Sequence, residues 1–169
     1  MIKLKVKRRS QKQERSVAKT LVAKTVVASG SLWGSKGDVR NDKFLIECKT
    51  TEKTYYSVKN TIWEKIKEEA TKDNLRIPLL IVDLEDKHRF VVFDINSMDN
   101  CLPCIRVIDN SRSNSFRITE EIMSTFDPLG RPIYYVYKIK SNTSRLGTPH
   151  TLGVVPIKDF MTIFKEELQ

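Results

Sequence analysis

The chain has 169 residues, 40% hydrophobic and 30% charged, which is enough for one domain with a real core and cramped for two. Its net charge of +9 is local: residues 1–60 hold 15 Lys and Arg against 5 Asp and Glu, and the rest holds 15 against 16, a balance that suits a polyanion such as nucleic acid before an anionic membrane, or else a plain solvated basic face. No run approaches the ~20 apolar residues of a membrane span, the start MIKLKVKRRSQKQ has no secretory apolar centre, and three cysteines (Cys48, Cys101, Cys104) are too few for a disulfide framework, so the expectation is a soluble, cytoplasmic protein.

In chain order, SQKQERSVAKTLVAKTVVA at 10–28 spaces Val17, Ala18, Leu21, Val22 and Val26 helically behind Ser10 as N-cap, predicting a first helix. The first thirty residues contain a single acid, Glu14, as a mitochondrial transit peptide would, but this helix is needed in the fold. SGSLWGSKGD is a loop, and DVRNDKFLIECKTT reads as two strands joined at RND. Residues 58–73 place Val58, Ile62, Ile66 and Ala70 every four residues, a second amphipathic helix. IPLLIVDL and RFVVFDI are apolar strands around the turn EDKH. The order predicts an α/β protein with a mixed sheet flanked by helices. Beyond residue 96 the signal weakens: CIRVIDN, SFRI and PIYYVYKIK suggest strands, TEEIMSTF a helical turn or two, SNTSRLGTPH a loop, and IKDFMTIFKEEL a closing helix.

The chemistry concentrates in the first strand pair. Alternation puts Glu47 and Lys49 on one face of a strand and Ile46 and Cys48 on the other. Asp38, nine residues before Glu47 on the neighbouring strand, is at hairpin distance from it. Two converging carboxylates repel unless a cation lies between them, and hard oxygen donors suit Mg²⁺ or Mn²⁺. A lysine beside such a site can orient water and stabilise the charge that grows on an attacked phosphate. Glu14 shares a helical face with Ala18, Leu21 and Thr25, at the edge of the apolar stripe. The plain alternatives are a solvated Glu14 and a surface ion pair between Glu47 and Lys49.

The order Glu14, Asp38, Glu47, Lys49 resembles the PD-(D/E)xK nuclease superfamily, with Gly37 where that pattern has proline. The closer resemblance is to the Holliday junction resolvases of archaea and their phage and viral relatives: QERSVAKTL is similar to their first helix, VVASGS to the turn that follows, GDV and IECKTT to the metal-binding strands, and RIPLLIVDL with RFVVFDI to the later strand pair. It spans roughly residues 8–95. The resemblance implies a restriction-endonuclease-like core (αβββαβ type) over 1–95 with a basic N-terminal arm, and a C-terminal extension, 96–169, packed on the same domain. It implies a Mg²⁺- or Mn²⁺-dependent, structure-selective DNA endonuclease acting as a homodimer on four-way junctions, with no membrane partner. Glu14, Asp38, Glu47 and Lys49 are then catalytic. Asp38, Glu47 and the backbone carbonyl of Cys48 hold the metal, Glu14 binds a second ion or its water shell, and Lys49 positions the attacking water. Arg15 contacts the scissile or adjacent phosphate, and Lys3, Lys5, Lys7, Arg8, Arg9, Ser29, Ser31 and Lys36 complete the DNA contacts.

Two alternatives stay open: a nuclease of another substrate class (restriction-like, flap or end-processing) and a non-catalytic DNA-binding protein. CLPC at 101–104 reads as reduced loop cysteines sooner than as half a zinc site. In YYVYKIK, Tyr135, Tyr137 and Ile139 read as one face of a half-buried strand, leaving Tyr134, Lys138 and Lys140 on the face able to touch DNA.

Overall fold

The computed structural model describes residues 2–26, 37–98, 105–144 and 147–165, the side chains of residues 2–6 and 123–124 excepted. Among the described residues there are three α-helices, α1 (Ile2–Thr20), α2 (Asn60–Lys72) and α3 (Ile157–Ile163). The strands are β1 (Lys24–Thr25), β2 (Val39–Arg40), β3 (Phe44–Thr51), β4 (Tyr55–Lys59), β5 (Ile77–Leu84), β6 (His88–Asp94), β7 (Ile105–Asn110), β8 (Ser115–Thr119), β9 (Tyr134–Ile139) and β10 (His150–Pro156). Among the described residues, eight strands form one mixed sheet in the order β1-β2-β3-β5-β6-β10-β9-β7, and β4 pairs with β8 separately. The α/β expectation with helices around a mixed sheet holds.

β5 and β6 lie in the middle of the sheet because their sequences are apolar on both faces, as a strand covered on both sides must be. Glu85 and Asp86 turn one into the other with φ of 50° and 59°, the left-handed pair that suits a tight hairpin. β3 runs parallel to β5, with Glu47 opposite Leu80 and Lys49 opposite Val82, and the connection between them carries β4 and α2.

The sheet separates two cores. On one face Val17 and Ala18 of α1, Leu21 just after it, and Phe160 and Phe164 at the C-terminal end pack on Phe44, Ile46, Cys48, Leu79, Ile81, Val91 and Phe93. On the other, Trp63 and Ile66 of α2 join Val58, Phe116 and Ile118 of the small β4-β8 pair over Leu80, Val82, Phe90, Val92, Tyr135, Tyr137, Leu152 and Val154. Gly153 stands in mid-strand because the Phe93 ring fills the place of a side chain: a Cβ there would lie 2.7 Å from Phe93 Cζ. No helix among the described residues is long and apolar enough to cross a membrane.

Several boundaries differ from expectation. α1 begins before Ser10, whose hydroxyl donates to Glu14 Oε1 (3.0 Å) from within the helix, so Ser10 is not its N-cap and part of the basic arm is helical. The same helix stops at Thr20, eight residues short of the expected end; Val22 has φ 48° and the Asn41 side chain donates to the Leu21 carbonyl. α2 starts two residues later than predicted, Val58 being the buried position of β4. Residues 96–169 supply β10, β9 and β7 of the main sheet; β10, which sequence reading left out, joins β6 to β9. Tyr134 is not a surface platform: it is buried in the core on the α1 face, since β9 is covered on both sides. Cys101 and Cys104 lie outside the described residues.

Candidate active site

The site grows out of the β2-β3 hairpin. Gly37 has φ 68°, and a Cβ there would approach Leu45 Cδ1 to 2.8 Å. Proline, with φ fixed near −65°, cannot take that conformation, which accounts for glycine at the place where the nuclease pattern has proline. From this turn the Asp38 N–H donates to the Ile46 carbonyl (2.9 Å), and Asp38 Oδ2 accepts the Cys48 N–H (2.8 Å). The Asp38 carboxylate thus sits over the middle of β3.

Glu47 and Lys49 project on the α2 face and form an ion pair, Nζ to Oε1 2.6 Å, both partly shielded from solvent. Burial pushes the Glu47 carboxyl above its ordinary value and the neighbouring Asp38 charge adds to this; the hydrogen bond from Lys49 opposes them without winning. Burial pulls the Lys49 ammonium down, but the hydrogen bond to Glu47 and the charges of Glu47 and Asp38 outweigh it and hold Lys49 above the usual lysine value. Lys49 is therefore a cation at neutral pH, and a second positive charge beside Glu47 would favour its ionised form.

Cys48 points to the opposite face, 4% exposed, where its thiol packs with Ile46 and Phe44. Its pKa is raised far above normal by burial and then by the charges of Asp38, Glu14, Asp83 and Glu47, so four carboxylates lie within electrostatic reach of this one residue. Asp83 is occupied by Arg89, whose Nε and Nη2 donate to its two oxygens at 2.7 and 2.8 Å. Glu14 comes from α1, on the Cys48 side of the sheet, whereas Glu47 and Lys49 rise on the other.

The expected residues are thus brought together unequally. Glu47 and Lys49 are hydrogen-bonded and both feel the Asp38 charge, while Glu14 lies across the sheet, bonded to Ser10. Among the described residues no three His, Cys, Asp or Glu side chains are grouped closely enough to hold a metal ion. Two hard carboxylates remain a set that suits an ion keeping most of its water, as Mg²⁺ does; burial first and the Asp38 charge second disfavour ionised Glu47, and a cation would offset the second.

The expected DNA contacts also divide. Lys7, Arg8 and Arg15 are exposed on α1. Arg9 is not an open arm residue: Nε donates to Asp86 Oδ1 (2.8 Å), Nη2 to the Thr51 carbonyl (3.2 Å), and Nη1 lies 3.1 Å from Glu52, so it ties α1 to two turns. The backbone of Lys3 and Lys5 is in α1, with their side chains outside the description, and Ser29, Ser31 and Lys36 lie outside the described residues.

Three contributors escaped the sequence reading. Gln13, 4% exposed, donates through Nε2 to the Lys49 carbonyl (2.9 Å), fixing α1 to the strand that carries the site. Tyr56, on β4, feels the charges of Lys49 and Glu47, and Lys65, on α2, lowers the Glu47 pKa. Burial of Gln13 follows from its place one turn before Val17, a helical step from the apolar stripe, and is the only signal of the three that the local pattern carries. Comparison with protein-family models and with curated proteins yields no match to the chain.

Proposed function

We propose that the chain is a metal-dependent DNA endonuclease of PD-(D/E)xK type, acting as a homodimer on branched DNA in the manner of a Holliday junction resolvase. The observation that carries this reading is the group Asp38, Glu47 and Lys49 on one hairpin: a carboxylate held over β3 by the Cys48 N–H at 2.8 Å, beside an acid and an ammonium 2.6 Å apart.

Asp38 and Glu47, with the Cys48 carbonyl between the two catalytic side chains in sequence, would hold one Mg²⁺ or Mn²⁺. When bound, such an ion supplies Lewis-acid polarisation of a phosphoryl oxygen. The rest belongs to the chain. Lys49 is kept protonated by Glu47 and Asp38, so it does not act as a neutral base; it orients the attacking water and offsets the negative charge gathering on the phosphate. Glu47 fixes the ammonium while Gln13 fixes the backbone behind it. Glu14 stands on the other face of the sheet, where its charge reaches the Cys48 thiol.

The test is nicking of a synthetic four-way junction in Mg²⁺, run beside a flap and a linear duplex, with wild type and Asp38→Asn. Paired symmetric nicks in the junction, absent in Asp38→Asn, are expected. Wild-type protein that binds the junction and never cuts any of the three overturns the enzyme reading and leaves a DNA-binding protein.

A further inference from the structure

The outer side of α1 carries Arg8, Lys12, Arg15 and Lys19 at steps of four, three and four residues, and all four are exposed. At 100° per residue they fall on one narrow stripe, opposite the buried Gln13, Val17 and Leu21. The exposed side of this stretch holds Gln11 and Ser16 besides the four cations, and no acid. Several cations elsewhere do pair with acids: Lys65 with Glu69, Lys67 with Asp94, Arg40 and Arg76 with Asp73, Arg89 with Asp83, and Arg9 with Glu52 and Asp86. Among the described residues no carboxylate pairs with any member of the stripe. Like charges three and four residues apart weaken a helix, so the stripe costs stability and gains nothing inside the fold.

We propose that this stripe is a backbone track for nucleic acid, and that it holds a different segment of the DNA from the one at Glu47 and Lys49, so that Arg15 contacts that second segment and not the scissile phosphate the resemblance implied for it. The four charges span about 16 Å of helix, which suits an extended polyanion better than a compact anion. A membrane surface fits poorly, because an interfacial helix keeps its apolar side for lipid and here Val17, Ala18 and Leu21 are spent in the core. Position gives the second half of the inference. α1 covers the sheet face opposite to the one from which Glu47 and Lys49 rise, and the stripe points away from the sheet altogether. A straight duplex lying on one does not reach the other, whereas two arms of a branched DNA, or one sharply bent duplex, do.

Naming DNA as the polyanion rests on the nuclease reading, so binding is measured apart from cleavage. A labelled four-way junction and a straight duplex of equal length are titrated with the full chain in EDTA at several salt concentrations, using wild type and R8Q/K12Q/R15Q/K19Q. Glutamine keeps helix propensity and removes three like-charge neighbours, so helicity by circular dichroism stays at the wild-type level. Junction affinity is expected to fall at least about tenfold, and the slope of log affinity against log salt to shrink by about 3. The straight duplex is expected to lose clearly less. An unchanged junction slope overturns the track and leaves the stripe to an acidic protein. Equal losses on junction and duplex overturn the separate-segment claim. Wild-type protein that never nicks in Mg²⁺, with the quadruple variant still losing its slope, sinks the nuclease reading and supports the track.

Discussion

Gln13 Nε2 donates to the carbonyl of Lys49 across 2.9 Å, while Gln13 Oε1 is buried without a partner. One side chain therefore anchors the strand that carries the site and also keeps a buried acceptor unsatisfied. In Gln13→Leu the lost hydrogen bond, about 1 kcal/mol, is offset by removal of the orphan oxygen, and urea unfolding should give a stability within about 1 kcal/mol of wild type. Gln13→Glu places a carboxylate against a carbonyl and should cost about 3 kcal/mol. A loss in Gln13→Leu as large as that in Gln13→Glu would contradict this balance between the bond and the orphan oxygen.

Glu47 titrates above its ordinary value of 4.5 because of burial first and Asp38 second. A folded-state pKa that is raised means that protonated Glu47 favours the fold: its contribution is complete below the ordinary value and is lost as pH rises through the folded value. Carboxyl-carbon NMR should find the Glu47 pKa lower in Asp38→Asn and higher in Lys49→Met. Between pH 4 and 7 the Glu47 contribution to stability should fall less in Asp38→Asn than in wild type.

Removing the ammonium tests its catalytic role. Lys49→Ala should reduce junction nicking about 10²- to 10³-fold, in the range of a lost transition-state donor, with junction affinity in EDTA changed far less. Nicking at the wild-type rate would remove Lys49 from the reaction.

At Gly37 the backbone decides. Gly37→Ala should cost about 1 to 2 kcal/mol for a left-handed alanine, with the approach to Leu45 Cδ1 added to it. Gly37→Pro, the residue that the nuclease pattern would place there, should be worse still, because the ring excludes φ 68°. Thermal unfolding of the two variants ranks them, and a proline variant more stable than the alanine one would contradict the turn described.

Glu64, on α2, accepts from the N–H groups of Asn142 and Thr143 and lies 3.3 Å from His150 Nε2. Burial pushes its carboxyl up, but these bonds outweigh burial and hold it below its ordinary value. The stability that Glu64 contributes is thus present above that ordinary value and is lost as pH falls through the lowered one. Thermal unfolding between pH 7 and 3 should show a shallower acid loss in Glu64→Gln than in wild type.

The parts legible in the sequence were those whose local pattern has a single outcome. The runs of β5 and β6 are too apolar to face water on either side, and the spacing from Asp38 to Lys49 reads as a hairpin bearing acids and an amine. β10 escaped because HTLGVVP has Gly153 inside it and Pro156 at its end, both of which weaken a strand signal. β4 escaped because Val58 also continues the period of α2. The placement of Glu14 was not legible at all: helical spacing says that it borders the apolar stripe, but which face of a sheet that stripe covers depends on chain path, not on spacing.

The position of β10 bears on how the chain is made. A ribosome that has released everything up to Pro149 presents β6 and β9 with no strand between them, so a hydrophobic gap persists until the sequence from His150 to Pro156 emerges. Late insertion of this strand closes the protein's middle, as a keystone closes an arch. Nascent chains stalled at successive lengths should gain protease resistance abruptly once that stretch has cleared the exit tunnel.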